Sequence, residues 1–485
     1  MQPTRRIIVT SPRAAEAEPG RELTQGTGGS DKTAGGFVKS FGCQMNVYDS
    51  SRISGMLGEA GYTAQQGPDG AEVIVLNTCH IREKASDKVF SELGQIRALK
   101  EARAARGMST FVGVAGCVAQ AEGAEILKRE RTVDFVVGPQ SYHRLPEMLA
   151  RARLGERSLA IEFETQEKFD GLRQRGAAPP LRLISAFLTI QEGCDKFCAF
   201  CVVPYTRGAE VSRAPEDIVH EAEQLVAAGV KDISLLGQNV NAYRCETGGK
   251  RWGLASLFER LSEITGLERL RYTTSHPNDM SEDLIAAHRD LPKVMPFLHL
   301  PVQSGSDAIL SAMNRKHTAG AYCGLIERVR RARPDIALSS DFIVGFPGET
   351  DADFRATLDL VREVGFASAF SFAYSMRAGT PGAERRDQVA SDIKKARLLE
   401  LQGLLEEQKK TFNASFVGRN CEVLFERRGR HSGQIVGRTP QMLSVQVDGP
   451  ESLIGSIHDV VIERPGANSL FGRLASERQI NEAAN

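Results

Sequence analysis

Between residues 187 and 201 the chain reads FLTIQEGCDKFCAFC. A short apolar run with the character of a buried strand passes through Gly193 into three cysteines, Cys194, Cys198 and Cys201, spaced C-x3-C-x2-C. No fourth cysteine or histidine stands close by in the sequence. A structural zinc site takes four protein ligands in a closed tetrahedron. Three thiols in a tight loop instead suit a 4Fe-4S cluster with one iron left open, able to bind a small molecule and pass it an electron.

The pattern around this stretch predicts its setting. SAFLTIQ (185–191), DISLLG (232–237), LRYTTS (270–275), MPFLHLPV (295–302), ALSSDFIVGF (337–346) and SAFSFAYS (368–375) are six strand candidates separated by amphipathic segments. In one of these, APEDIVHEAEQLVAAG (214–229), Ile218, Val219, Ala222, Leu225 and Val226 share a face, Pro215 opens the helix and Gly229 closes it. Six β/α units predict a full or partial barrel with its reactive groups at the strand C-termini, and the cysteine loop follows the first strand onto that rim. GFPGET (345–350) reads as a turn before a helix, not as a phosphate loop.

Upstream, GFVKSFGC (36–43), AEVIVLNTC (71–79) and FVGVAGC (111–117) are three short apolar runs that each end at a cysteine, and VDFVVGPQ (133–140) has the same form without one. Helical stretches such as DSSRISGMLGEAG (49–61) lie between them. Alternation of this kind predicts a parallel, flavodoxin-like α/β sheet whose strand C-termini share one ligand-binding edge. Cys43, Cys79 and Cys117 then converge in space, although 36 (79 − 43) and 38 (117 − 79) residues separate them in sequence. Beyond a long charged helix, residues 413–476 alternate apolar and polar positions with Gly and Pro breaks and predict a small all-β barrel. The expected organisation is a disordered leader over 1–35, an N-terminal domain over 36–154, a linker over about 155–182, a core over 180–412 and the small barrel at the end.

Composition narrows the class. The 485 residues are 41% hydrophobic and 25% charged, as in soluble globular proteins. No apolar run reaches the ~18 residues of a membrane span, and the N-terminus has too short an apolar stretch for a signal peptide. A cytoplasmic protein with no membrane partner is expected. Lys plus Arg and Asp plus Glu are both 61, so any nucleic-acid contact must come from a local patch. In such a chain clustered cysteines bind metal or do redox chemistry more often than they pair. Of the nine, Cys245, Cys323 and Cys421 have no partner spacing and read as small hydrophobes.

C-x3-C-x2-C after the first strand of a β/α barrel, with Phe200 before the last cysteine, resembles the radical S-adenosylmethionine (SAM) superfamily. SFGCQMNVYDS, NTCHIREKA, VAGCVAQ, LLGQNVN, TTSHPNDM, HLPVQSGSD, DFIVGFPGET and YSMRAGTPGA together resemble its methylthiotransferases. The resemblance implies that Cys194, Cys198 and Cys201 hold one 4Fe-4S cluster, whose open iron takes SAM, and that Cys43, Cys79 and Cys117 hold a second. His80, next to Cys79, is not read as a ligand. GCQMN and NTCHIREKA look like the branch that makes 2-methylthio-N6-isopentenyladenosine at position 37 of tRNA. Two SAM molecules would be used per turnover, one as methyl donor and one as radical source. A radical is the fitting reagent, because C2 of adenine carries an unactivated C–H bond that no protein base removes. The alternatives are a methylthiotransferase acting on threonylcarbamoyladenosine in tRNA or on an aspartate of a ribosomal protein.

Position and residue type nominate Gln238, Asn239, Gln303 and Asp341 on the barrel rim for hydrogen bonds to SAM. The last barrel resembles the TRAM module, with Arg427, Arg428 and Arg430 as its RNA-contacting patch. Implied partners are the tRNA anticodon loop, an electron donor such as flavodoxin or ferredoxin, and a sulfur source or iron–sulfur carrier.

Overall fold

A computed structural model describes residues 7–9, 34–42, 44–79, 83–163 and 183–475, with the backbone only for 7–9 and 83–87. The chain divides into two compact units, residues 1–177 with Tyr205–Gly208, and residues 178–204 with 209–485.

The N-terminal unit is built on a seven-stranded, all-parallel sheet. Its spatial order is Ile7–Val9, Arg157–Ala160, Phe135–Val137, Phe111–Gly116, Ala71–Thr78, Gly35–Phe41 and Thr63–Ala64. The interior strand AEVIVLNT is buried along both faces, which explains its unbroken apolar run. Val73 and Val75 pack with Ile53, Met56 and Leu149 on one side, while Ile74 and Leu76 pack with Val89, Leu93 and Ile126 on the other.

Two expectations need correction here. Ile7–Val9, placed in the disordered leader, pairs parallel with Arg157–Leu159; the other residues of 1–33 lie outside the described residues. Arg157–Ala160, assigned to the linker, is a fully buried strand, so the N-terminal domain runs past 154. Four residues are too few to show an alternation. The Arg157 guanidinium, which reads as solvent-facing in sequence, is satisfied by the carbonyls of Val133, Leu127 and Glu130.

The second unit holds six parallel strands in two sets of three: Ser185–Thr189, Asp232–Leu236 and Arg269–Tyr272, then Phe297–His299, Ala337–Val344 and Ser368–Ala373. A bridge between Leu270 and Val294 and the 3.0 Å bond from Met295 N–H to Leu270 O join the sets, giving the partial (β/α)6 barrel. Leu188, Ile233, Leu235, Leu270, Leu298 and Phe342 form one core with the helices outside them. Thr350 and Asp353 make a capping box at the start of the helix Asp351–Val364, so GFPGET is the expected turn.

The helix Ser391–Ala414 leads to a closed five-stranded barrel, ordered Asn420–Arg428, Gln434–Arg438, Ser444–Asp448, Leu470–Leu474 and Ile457–Pro465. It docks against the N-terminal ends of the core strands. Arg269 Nη1 donates to the Arg438 carbonyl at 2.7 Å, Arg271 Nη1 and Nη2 donate to the carbonyls of Pro440 and Thr439, and Ser185 Oγ donates to Glu426. Arg271 is itself held by Asp232 at 2.8 Å, both side chains being nearly inaccessible. Among the described residues no helix is long and apolar enough to cross a membrane.

The core also predicts a pH dependence. His288 is 1% exposed, its Nε2 lies 2.9 Å from the Tyr272 hydroxyl, and burial, reinforced by the Arg333 charge, holds its pKa down at about 4. The unfolded chain takes that proton near pH 6.5 and the folded chain only near 4, so the contribution is complete above pH 6.5 and is lost as pH falls from there. Half-buried His317, at about 4, adds with the same sign. On His288 alone, unfolding should cost about 2 kcal/mol less at pH 5 than at pH 8. His288→Gln should flatten the slope by that amount in urea titrations at the two pH values; an unchanged slope would refute the assignment.

Candidate iron–sulfur and SAM site

In the core unit the cysteine loop sits where its sequence put it, directly beyond the strand Ser185–Thr189. Its shape comes from bonds to other rim loops. Ala199 N–H donates to Met313 O and Gly382 N–H to Ala199 O, while Asn314 Nδ2 donates to Phe197 O at 2.9 Å. Phe197, Thr274, Gln303, Asn314 and Lys316 are non-glycine residues with positive φ, and all five lie in loops of this rim. Backbone held in that region stores strain and is found where a site is over-determined by its surroundings.

Each thiol faces a hydrogen-bond donor. The Lys196 and Val203 backbone N–H groups serve Cys194 and Cys201, and Arg315 Nη1 reaches Cys198 Sγ at 3.5 Å. Burial nonetheless pushes the Cys194 thiol up to about 11 and Cys201 to about 12, with the neighbouring Cys198 raising both further. Three thiols so placed need a positive centre to ionise together, which iron supplies. Arg315, 4% exposed, escaped the sequence reading because nothing in RKH (315–317) points to a cysteine more than a hundred residues upstream.

The four rim residues fall into two pairs. Gln238 Oε1 accepts from Gly193 N–H at 2.5 Å, and Asn239 Nδ2 donates to Asp279, which also binds Lys196. These two hold the cysteine loop itself. Gln303 is buried, and its Oε1 has no hydrogen-bond partner among the described residues. The Asp341 carboxylate is partly open and lies 3.5 Å from His299 Nε2. Glu210, which binds Asp195 through its backbone, was missed; burial pushes its carboxyl up to about 7.

In the N-terminal unit Cys79 and Cys117 follow Thr78 and Gly116, which are paired residues of adjacent parallel strands. Both cysteines are buried. Cys79 N–H donates to Phe41 O at 2.9 Å, and a Cβ at Gly42, whose φ is 134°, would collide with the Cys79 side chain. The third strand end therefore meets the second at residue 42. Cys43 and His80 lie outside the described residues. The residues flanking the cysteines lock the strand ends together. Asn77 Nδ2 donates to Asn46 O at 2.8 Å and to Ser50 Oγ, and Thr78 Oγ1 donates to Ala115 O. Within this unit Arg207 Nε lies 3.5 Å from Cys117 Sγ.

On the small barrel, Arg428 is exposed but paired with Glu451 at 2.5 Å, and the Arg427 guanidinium reaches the Arg428 carbonyl. The Arg430 backbone N–H donates to Gln434 Oε1.

Comparison with known proteins agrees with this layout. Residues 36–138 match the uncharacterised protein family UPF0004, residues 188–361 the radical SAM superfamily, and residues 414–475 the TRAM domain. Among solved structures, the radical SAM methyltransferase TsrM from Kitasatospora setae, with tryptophan and a SAM analogue bound, is similar at 15% identity. That match covers 73% of this chain and 75% of that one, with a TM-score of 0.53. The same enzyme with cobalamin and a [4Fe-4S] cluster matches at 15% identity over 72% and 77%, with a TM-score of 0.52. At such identity the likeness is one of fold. The open three-cysteine loop on a partial β/α barrel is that of a radical SAM enzyme, which implies a 4Fe-4S cluster and SAM. With the UPF0004 and TRAM regions flanking that core, the chain belongs to the radical SAM methylthiotransferase family.

Proposed function

We propose that this enzyme methylthiolates C2 of N6-isopentenyladenosine at position 37 of tRNA, consuming two SAM molecules, and that it carries a second 4Fe-4S cluster on Cys43, Cys79 and Cys117. The observation that carries the reading is the packing of Gly42 against Cys79 beside Cys117. A sheet edge that only needed packing would have no reason to gather cysteines where three strands end. When bound, the clusters and SAM supply an adenosyl radical and an activated methylthio group.

The residues of this chain have the remaining work. Gln238, Asn239 and Asp279 fix the cysteine loop, so that its geometry does not have to be found at each turnover. The buried Gln303 Oε1 is an acceptor suited to the amino or ribose N–H and O–H groups of SAM, and Asp341 offers a second. Arg315 stabilises the Cys198 thiolate. The TRAM barrel, with Arg427 and Arg430, serves to hold RNA, whose unpaired loop bases can leave the stack and enter a pocket.

Deleting the gene and analysing nucleosides of total tRNA by mass spectrometry should show 2-methylthio-isopentenyladenosine disappearing and isopentenyladenosine accumulating. If that nucleoside persists, the substrate is wrong. Loss of 2-methylthio-threonylcarbamoyladenosine, or of a methylthio mark on a ribosomal protein, would then name the right one.

A further inference from the structure

Arg207 is among the largest fully buried side chains of the protein, and the end of the five-residue helix Val203–Arg207, just beyond a cluster motif, is an unexpected place for it. It stands six positions after Cys201 (207 − 201), yet Tyr205–Gly208 belongs with the N-terminal unit. There its Nη2 binds Asp49 Oδ2 at 2.5 Å, with side chains 2% and 1% exposed. The Tyr142 hydroxyl donates to the same carboxylate oxygen at 3.4 Å, and Gln140 Nε2 donates to the Arg207 carbonyl at 2.7 Å. Burial above all, with the Asp49 charge next, holds the Tyr142 hydroxyl protonated as a donor. The guanidinium thus held points Nε at Cys117 Sγ, 3.5 Å away.

A buried Arg–carboxylate pair repays its desolvation poorly, so a role for it in stability alone is a weak explanation. We propose that Arg207 is a positioning residue for the second iron–sulfur cluster, donating a charge-assisted hydrogen bond to the Cys117 thiolate and raising that cluster's reduction potential, with Asp49 and Tyr142 fixing its orientation. This rests on the two-cluster reading above. Hydrogen bonds to cluster sulfurs and nearby charge both set potential, and a cation next to the thiolate favours the more negative, reduced state. Such outer partners are worth roughly 10–100-fold in retention of the metal. Arg315 has the corresponding place at Cys198. The chain segment that closes one cluster motif therefore ends in the residue that serves a ligand of the other.

The test is made in a chain carrying Cys194→Ala, Cys198→Ala and Cys201→Ala, so that any cluster formed on reconstitution is the second one. Dithionite titration followed by electron paramagnetic resonance reads its potential and signature, and release of iron to a chelator reads its retention. With Arg207→Gln we expect a more negative potential, an altered signature and iron release faster by roughly 10–100-fold. Asp49→Asn should shift both in the same direction by less. Arg207→Lys keeps the charge without the fork; it should retain most of the potential while losing the native signature, and it is the deciding variant if Arg207→Gln does not fold. A folded Arg207→Gln or Arg207→Lys with wild-type potential, signature and iron release overturns the proposal. If the triple-alanine chain takes up no cluster at all, the two-cluster reading fails, and this inference fails with it.

Discussion

Cys198→Ala should abolish both product formation and SAM cleavage, whereas Cys79→Ala should abolish product formation and leave SAM cleavage to 5′-deoxyadenosine in place. Both cysteines are buried, so it is their positions that separate them. Cys198 is the middle thiol of the loop beyond the first core strand and is served by Arg315, and without it two ligands remain for a cluster that already has an open iron. The loss should go beyond the roughly 10–100-fold expected for an outer partner and reach background. Cys79 is on the edge of a different sheet, against Gly42 and beside Cys117. Removing one buried thiol costs on the order of 1 kcal/mol, so both variants should fold, and a thermal melt checks this. Product at the wild-type rate from Cys79→Ala would sink the second cluster's role; SAM cleavage by Cys198→Ala would sink the first's.

Arg271→Ala should be the most destabilising single substitution in the second unit. It removes the partner of Asp232, which is 3% exposed, and the donor to the carbonyls of Pro440 and Thr439. Removing one member of a buried pair costs about 3–5 kcal/mol because the other charge stays buried and uncompensated. Limited proteolysis should then release the C-terminal barrel early, since the substitution strikes its docking surface. Asp232→Asn with Arg271→Gln keeps hydrogen-bonding groups on both sides and should recover part of the loss. A melting temperature unchanged in Arg271→Ala would show that the docking is held elsewhere, for instance by Arg269 alone.

The three layers of the chain were legible because their periodicities are strong. All six core strands were readable in apolar runs bounded by Gly and Pro, and the cysteine loop followed from its short spacing. The strand Arg157–Ala160 was not readable, because its pairing partners are remote and its arginine is satisfied only by carbonyls brought in by the fold. The same reason hides Arg207 and Arg315. A guanidinium's partner in space leaves no mark at a fixed sequence offset, whereas a cap, a turn or a metal loop does. Asn46 and Asn77 mark the middle ground: they were quoted as parts of motifs, and only the structure shows them bound to each other. Gln238 and Asn239 were placed on the right rim by the alternation of strands, but residue type alone could not separate a ligand contact from a loop clamp.

The C-terminal barrel grips the core near the start of its strands, through Ser185, Arg269 and Arg271, while the cysteine loop lies past the residues that end them. At about 3.3 Å per residue, the five-residue strand Ser185–Thr189 alone sets roughly 13 Å between its first and last Cα. The unit is thus a gauge of fixed length, with a handle at one end and a reactive rim at the other. A ligand held by the handle is sorted by reach before it is sorted by chemistry. A free nucleoside, however well it matched the rim, would span none of that distance and would forgo whatever binding energy the handle has to offer the reaction.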